Sequence, residues 1–323
     1  MNTIIPLALC DVERARELIR GHVRHTPLER SAPLSALLQS DIHLKLECFQ
    51  VTGSFKPRGA FCKLLSLPDE IRRRGVIAST AGNHGVGLSY AAQRLQVPAD
   101  IYLPRWADRS KLRMLEENGA RLTWFETVEE ARERAKKDAV DRQLTFVSAY
   151  NDRQMIAGGG TVALEIVDDV ADVEQVVICV GGGGLAAGMA VALKARNPAI
   201  RVCGVQAANS PKMSRWFAAR ARVDVPLRPS IAEGLTVNME DDTITFPLLL
   251  EAMDEIVEVS EDEIRHALVW LFEHHQLAVE PSGAVTVAAL LKLGARGARK
   301  IAAVLSGRNV SLERYRELLA PVA

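Results

Sequence analysis

Residues 176–193 read VVICVGGGGLAAGMAVAL, eighteen positions without a charge. That is the lower limit for a membrane span, yet Gly181, Gly182, Gly183 and Gly184 interrupt it in the middle. A β-branched run before the glycines and an alanine-rich run after them read as a buried strand, a tight turn and a helix. A tight turn needs only one or two glycines. Four in a row leave successive backbone N–H groups open to a close-lying phosphate at a helix start. No Gly-Lys-Ser/Thr follows, so a Walker-type site is excluded. Gly181, Gly183 and Ala186 fit the loose G-x-G-x-x-A dinucleotide pattern. The acid it asks for about twenty residues on is absent, since Arg201 and then Gln206 stand there. A nicotinamide site is thereby demoted to a remote alternative.

Outward from this turn the same alternation continues. GVIAST, ADIYLP and RLTWFE each precede a helical pattern, and QVVICV, RVCGVQA, EIVEVS and KIAAVLS add strands in the second half. Strands that alternate with helices mean βαβ units and parallel sheets, and the restart of the pattern after FVSAYND, residues 146–152, suggests two of them. Residues 219–246 have weak periodicity and several Pro, Gly and Asp, the mark of a long loop of the kind that borders sites. The 323 residues carry 40 Lys+Arg against 40 Asp+Glu, which leaves no basic field for nucleic acid or an anionic membrane. Five separated cysteines with no C-x-x-C pair suit neither a disulfide framework nor zinc, and read as reduced core residues of a cytoplasmic protein. MNTIIPLALC lacks the length of a secretory core and reads as the start of the fold.

Three further segments sit at strand or helix ends. In VTGSFKPRGA, residues 51–60, Lys56 lies at a helix start flanked by small residues and Phe55. Taken alone it reads as a surface charge. With a phosphate cradle elsewhere in the same chain it becomes a candidate nucleophile toward a carbonyl, and the carbonyl compound that also bears a phosphate is pyridoxal phosphate. In STAGNHGVG, residues 79–87, Asn83 and His84 are either turn formers or part of a loop whose N–H groups receive a carboxylate. In VLSGRN, Ser306 ends a buried strand at the edge where open α/β sheets bind ligands.

GSFKPRGA, AGNHG, GGGGL and SGRN, with IAEG and EPSGA, together resemble the serine/threonine dehydratase and serine racemase group of the fold type II pyridoxal phosphate enzymes, in order and in spacing. The match spans nearly the whole chain. The resemblance implies a two-domain α/β fold similar to tryptophan synthase β, with open parallel sheets flanked by helices. Residues 51–146 would form the small domain, and residues 1–50 with 147–323 the large cofactor domain. It implies that Lys56 carries the cofactor covalently, that Phe55 packs on its ring, and that Asn83 bonds its phenolic oxygen. Gly181 to Gly184 with Leu185 would hold the phosphate, Ser306 would face the pyridine nitrogen, and Thr80, Ala81, Gly82, Asn83 and His84 would receive the substrate carboxylate. The activity implied is dehydration of an L-β-hydroxy-α-amino acid to a 2-oxo acid and ammonia, by a homodimer or homotetramer.

Some positions depart from the group's pattern. Racemases carry a serine where Ala81 stands, so racemisation is not expected, although serine racemase or a β-replacement synthase remains the alternative on this fold. The positions matching a divalent-metal site are Gln206 and Lys212, a neutral amide and a cation where a hard divalent ion calls for oxygen anions, so no metal is expected. Val86 and Gly159 replace glutamines, which suggests room for a larger, less polar substrate such as an aryl-serine. A nicotinamide-dependent oxidoreductase and a non-catalytic binding module are the readings from other classes.

Overall fold

The computed structural model describes residues 7–80, 82–105 and 108–320. Ten strands lie among them: β1 (Leu28–Arg30), β2 (Asp41–Lys45), β3 (Val76–Ser79), β4 (Ala99–Pro104), β5 (Arg121–Phe125), β6 (Thr145–Phe146), β7 (Gln175–Cys179), β8 (Arg201–Ala207), β9 (Glu255–Val259) and β10 (Lys300–Val304). One sheet runs β1-β2-β10-β7-β8-β9, parallel except for β1, and the other runs β5-β4-β3-β6, parallel throughout. The glycine-run reading holds, since β7 is followed by a turn and the helix Gly184–Arg196. Every residue of β7 is buried, as expected for a central parallel strand covered on both faces. No helix among the described residues is long and apolar enough to cross a membrane.

Two helices are enclosed on nearly every side. In Arg153–Asp169 the whole stretch Met155 to Ile166 is buried, and in Pro281–Leu293 so is Pro281 to Leu290. Such helices are apolar all round because they meet protein on every face. The helix Lys56–Ser66 packs on both Arg153–Asp169 and Asn83–Arg94. Pro57 sits in its first turn, where a missing N–H costs nothing. Beside it lies a closed set of charges. Arg58 donates to Glu47 Oε2 and Oε1 at 2.8 Å each and to Glu165 at 2.6 and 2.9 Å, while Lys45 Nζ lies 2.7 Å from Glu165.

The cysteine reading needs one correction. Cys48, Cys62, Cys179 and Cys203 are buried, but Cys10 is exposed. It lies in the helix Leu9–Ile19, whose buried side is Val12, Ala15 and Ile19. The expectation for the first residues of the chain lies outside the described part up to residue 6.

Candidate active site

A cleft of about 1200 Å³ opens at the carboxyl ends of β3, β7 and β10, where open parallel sheets take their ligands. Phe55, Lys56, Thr80, Gly82, Asn83, His84, Gly181 to Gly184, Leu185 and Ser306 all line it. Residues far apart in sequence thus meet at one place. Ala81 lies outside the described residues.

Two turns are stitched together to make the floor. Phe55 N donates to Ser306 O at 3.1 Å, Arg308 N to Gly53 O at 2.9 Å, and Asn309 Nδ2 to Thr52 O at 2.8 Å. The segments VTGSFK and SGRN are held as neighbours by contacts that no local pattern announces. The Lys56 amine donates to Ala149 O at 3.0 Å and lies 4.9 Å from the Phe55 ring. Burial pulls its pKa down to about 8, and the opposing effects of Cys179 and Glu280 are smaller. An appreciable fraction of this lysine is therefore uncharged near neutrality, as a nucleophile or base must be.

The glycine turn is built around Tyr150 and Thr245. A Cβ on Gly182 would overlap the Tyr150 ring, and Gly183 has φ +88° with Thr245 and Leu249 closing the space a Cβ would need at 2.9 and 3.0 Å. Only glycine meets both demands. The first amides of the helix Gly184–Arg196 have no intrahelical acceptor, so the turn presents donors to the cleft. Ser306 is buried, with Oγ donating to Ser282 O at 3.3 Å.

Across the cleft, Asn83 and His84 begin the helix Asn83–Arg94. His84 Nε2 lies 2.9 Å from Val147 O, an acceptor, so that nitrogen carries the proton. Burial, then the charge of Lys56, lowers its pKa to about 3, and His84 is neutral at every physiological pH. It offers no imidazolium acid to the cleft. Thr80 Oγ1 accepts from Gly82 N at 3.1 Å, which leaves its own proton for a ligand.

Several cleft residues carried no sequence signal of their own. Cys179 lines the cleft as well as the core, and burial raises its thiol pKa, with the neighbouring Ser306 and then the charge of Lys56 opposing the rise. Tyr150 supports the glycine turn, and Lys111 faces the buried Glu280 at 3.8 Å. The long loop does border the site, with Val225, Leu227 and Ile231 in its wall. Two readings change. Val86 is fully buried away from the lining, and Gly159 packs on Leu185, where an added Cβ would lie 3.4 Å from Cα. Neither position is part of the cleft lining.

A readily deprotonated amine facing an amide-lined turn suits a phosphate-bearing aldehyde. A dinucleotide would need an acid where Gln206 stands, and Gln206 is buried with its Oε1 accepting from Ser214 N at 2.8 Å. Lys212 is likewise engaged, donating to Asn238 Oδ1 and Met239 O at 3.2 Å each. The chain belongs to the pyridoxal-phosphate dependent enzyme family, whose profile matches residues 19–307. It is 41% identical over 308 residues to an L-threonine ammonia-lyase of Thermotoga maritima, covering 95% of this chain and 76% of that protein. It is 36% identical over 322 residues to the catabolic L-threonine dehydratase TdcB of Escherichia coli K12, covering 97% and 96%. Among solved structures, maize serine racemase superposes with a TM-score of 0.91 at 30% identity, covering 96% of each chain. The processed form of threonine deaminase isoform 2 from Solanum lycopersicum gives 0.89 at 29% identity, covering 97% of this chain and 92% of that one.

Proposed function

We propose that this enzyme is an ammonia-lyase that converts an L-β-hydroxy-α-amino acid of the threonine or serine type to a 2-oxo acid and ammonia. The observation that supports it most is the low-pKa Lys56 amine opposite the glycine turn, in a chain resembling threonine ammonia-lyases over nearly all its length. Lys56 is the residue we assign to covalent attachment of pyridoxal phosphate. Gly181 to Gly184 and Leu185 would hold its phosphate, Phe55 its ring, Asn83 its phenolic oxygen and Ser306 its pyridine nitrogen. When bound, the cofactor supplies the electron sink that makes the substrate's Cα–H acidic.

The chain's own groups do the rest. The backbone N–H groups of residues 83 and 84, at the start of the helix Asn83–Arg94, and the Thr80 hydroxyl are hydrogen-bond donors that a substrate carboxylate fits, while the Gly82 N–H is held on Thr80 Oγ1. The Lys56 amine, which lines the cleft and is uncharged in appreciable fraction near neutrality, would be the base that takes the Cα proton. Ser306 is neutral and places no carboxylate opposite the ring nitrogen, which favours prompt loss of the β-hydroxyl. Proton and hydroxyl leave as water, hydrolysis of the released amino-enoic acid takes up one water, and 2-oxo acid and ammonia are the net products. Ala81 has no exchangeable side-chain proton, which favours dehydration over racemisation.

We assign residues 51–146 to a small domain and residues 1–50 with 147–323 to a large one. In support, the four-stranded sheet lies within residues 76–146 and the six-stranded sheet draws on both ends of the chain. A cytoplasmic homodimer or homotetramer is the assembly proposed, supported by five free cysteines and by exposed apolar side chains such as Phe272 and Leu312. Incubation with L-threonine, L-serine and L-threo-phenylserine tests the activity. Equal amounts of 2-oxo acid and ammonia are expected from at least one of them. Racemised substrate without ammonia, or thiol consumption without ammonia, would overturn the assignment.

A further inference from the structure

Glu280 stands at the start of the helix Pro281–Leu293 and is 6% exposed, yet its side chain makes no cap bond to that helix. It turns toward the cleft instead. There Oε1 accepts from Asn83 Nδ2 at 2.5 Å, and Oε2 lies 3.8 Å from Lys111 Nζ. Burial raises its pKa, and Lys111 and the Asn83 bond only partly oppose this. A buried carboxylate is costly, so its retention calls for a use. Its place exists because residue 307 is glycine, where a Cβ would collide with Oε1.

The other end of the Asn83 amide is also engaged. Asn309 Nδ2 donates to Asn83 Oδ1 at 2.8 Å and is itself anchored on Thr52 O. An amide has two N–H donors and one carbonyl. With the carbonyl on Asn309 and one N–H on Glu280, the orientation of Asn83 is settled and a single N–H remains. Flipped, the amide would turn its carbonyl toward any oxygen anion in the cleft.

We propose that Glu280 is a positioning residue for the phenolic oxygen of pyridoxal phosphate, acting through Asn83: with Asn309 it clamps the amide so that the remaining N–H meets that oxygen. This rests on the cofactor reading of the cleft and is independent of which amino acid is the substrate. The test is titration of the cofactor-free protein with pyridoxal phosphate, recording affinity and the absorption maximum of the bound form. Glu280→Gln keeps an acceptor for Asn83 and is expected to bind within about threefold of the parent. Glu280→Leu and Asn83→Ala are each expected to lose about tenfold or more and to shift the absorption maximum, as loss of a hydrogen bond to a charged oxygen implies. The double variant is expected to bind no worse than Asn83→Ala. Parental affinity and spectrum in Glu280→Leu, or full additivity in the double variant, would overturn the proposal. Failure of the parent itself to bind pyridoxal phosphate would instead overturn the cofactor reading on which the clamp rests. Should Glu280→Leu not fold, Asn309→Ala replaces it: a loss of at least about fivefold with a shifted maximum supports the clamp, and parental behaviour refutes it.

Discussion

Replacing Arg58 by methionine removes the guanidinium that two buried carboxylates share. In the parent, Arg58 donates four hydrogen bonds to Glu47 and Glu165 at 2.6 to 2.9 Å, with further contacts to Thr161 Oγ1 at 3.2 Å and Arg24 O at 3.1 Å. The other cation beside these carboxylates is Lys45, so the variant buries two carboxylates against one ammonium. Breaking a buried pair in this way costs about 3–5 kcal/mol. At about 2 °C per kcal/mol for a chain of this size, the melting temperature should fall by about 6–10 °C.

The pH dependence carries the sign. Burial pushes the Glu165 carboxyl up, but Arg58 and then Lys45 overcome it and hold its pKa below the ordinary value. A depressed carboxylate stabilises the fold above its unfolded pKa, and that contribution is lost as pH falls through the folded value. Without Arg58 the burial effect prevails and the folded pKa rises above the unfolded one. The variant then loses stability as pH climbs through about 4.3 and beyond, so its deficit should be larger at pH 8 than at pH 5. Thermal unfolding of the cofactor-free parent and variant at both pH values measures this. A deficit under about 1 kcal/mol, or one that does not grow with pH, would refute the reasoning and mean that desolvation already cancelled the ion pairs.

Other perturbations reach the cleft directly. Lys56→Ala should lower kcat at least about 10²–10⁴-fold, the span that general base catalysis covers, while substrate and cofactor still bind non-covalently; activity within tenfold of the parent would contradict the role of Lys56. Acylation of Lys56 in the cofactor-free protein should accelerate as pH rises through about 8, because only the uncharged amine reacts. An inflection at the ordinary lysine value would count against the enclosure described here. Gly183→Ala, at φ +88° and against Thr245, should weaken cofactor binding about tenfold or more, whereas Gly294→Ala, at φ +69° with nothing within 4 Å, should cost about 1 kcal/mol of stability and leave cofactor binding unchanged. Equal cofactor affinity in the two variants would separate the glycine turn from phosphate binding.

The central elements of the fold are legible from local pattern. β7 and its turn stand out because a strand buried on both faces is apolar throughout and because four glycines in a row have few other uses. β1 and β2 do not, since Glu29, Arg30, Asp41 and Lys45 give them a polar look. Lys45 can be fully buried because Glu165, on a helix remote in sequence, neutralises it. The same holds for the clamp on Asn83, whose partners Glu280 and Asn309 lie 197 and 226 positions distant. Val86 shows the converse failure: a substitution read as lining the site faces the core, because a helix position in isolation does not say which neighbour it meets. Motifs marked the cleft, and long-range hydrogen bonds determine how its side chains point.

Two lysines line the cleft, Lys56 and Lys111, and we assign the cofactor to the first. Borohydride reduction of the holoenzyme followed by peptide mass mapping decides this directly. The expected result is the reduced cofactor on the peptide containing Lys56, with the visible absorption band lost on reduction. Cofactor fixed on Lys111, or on neither lysine, would contradict it.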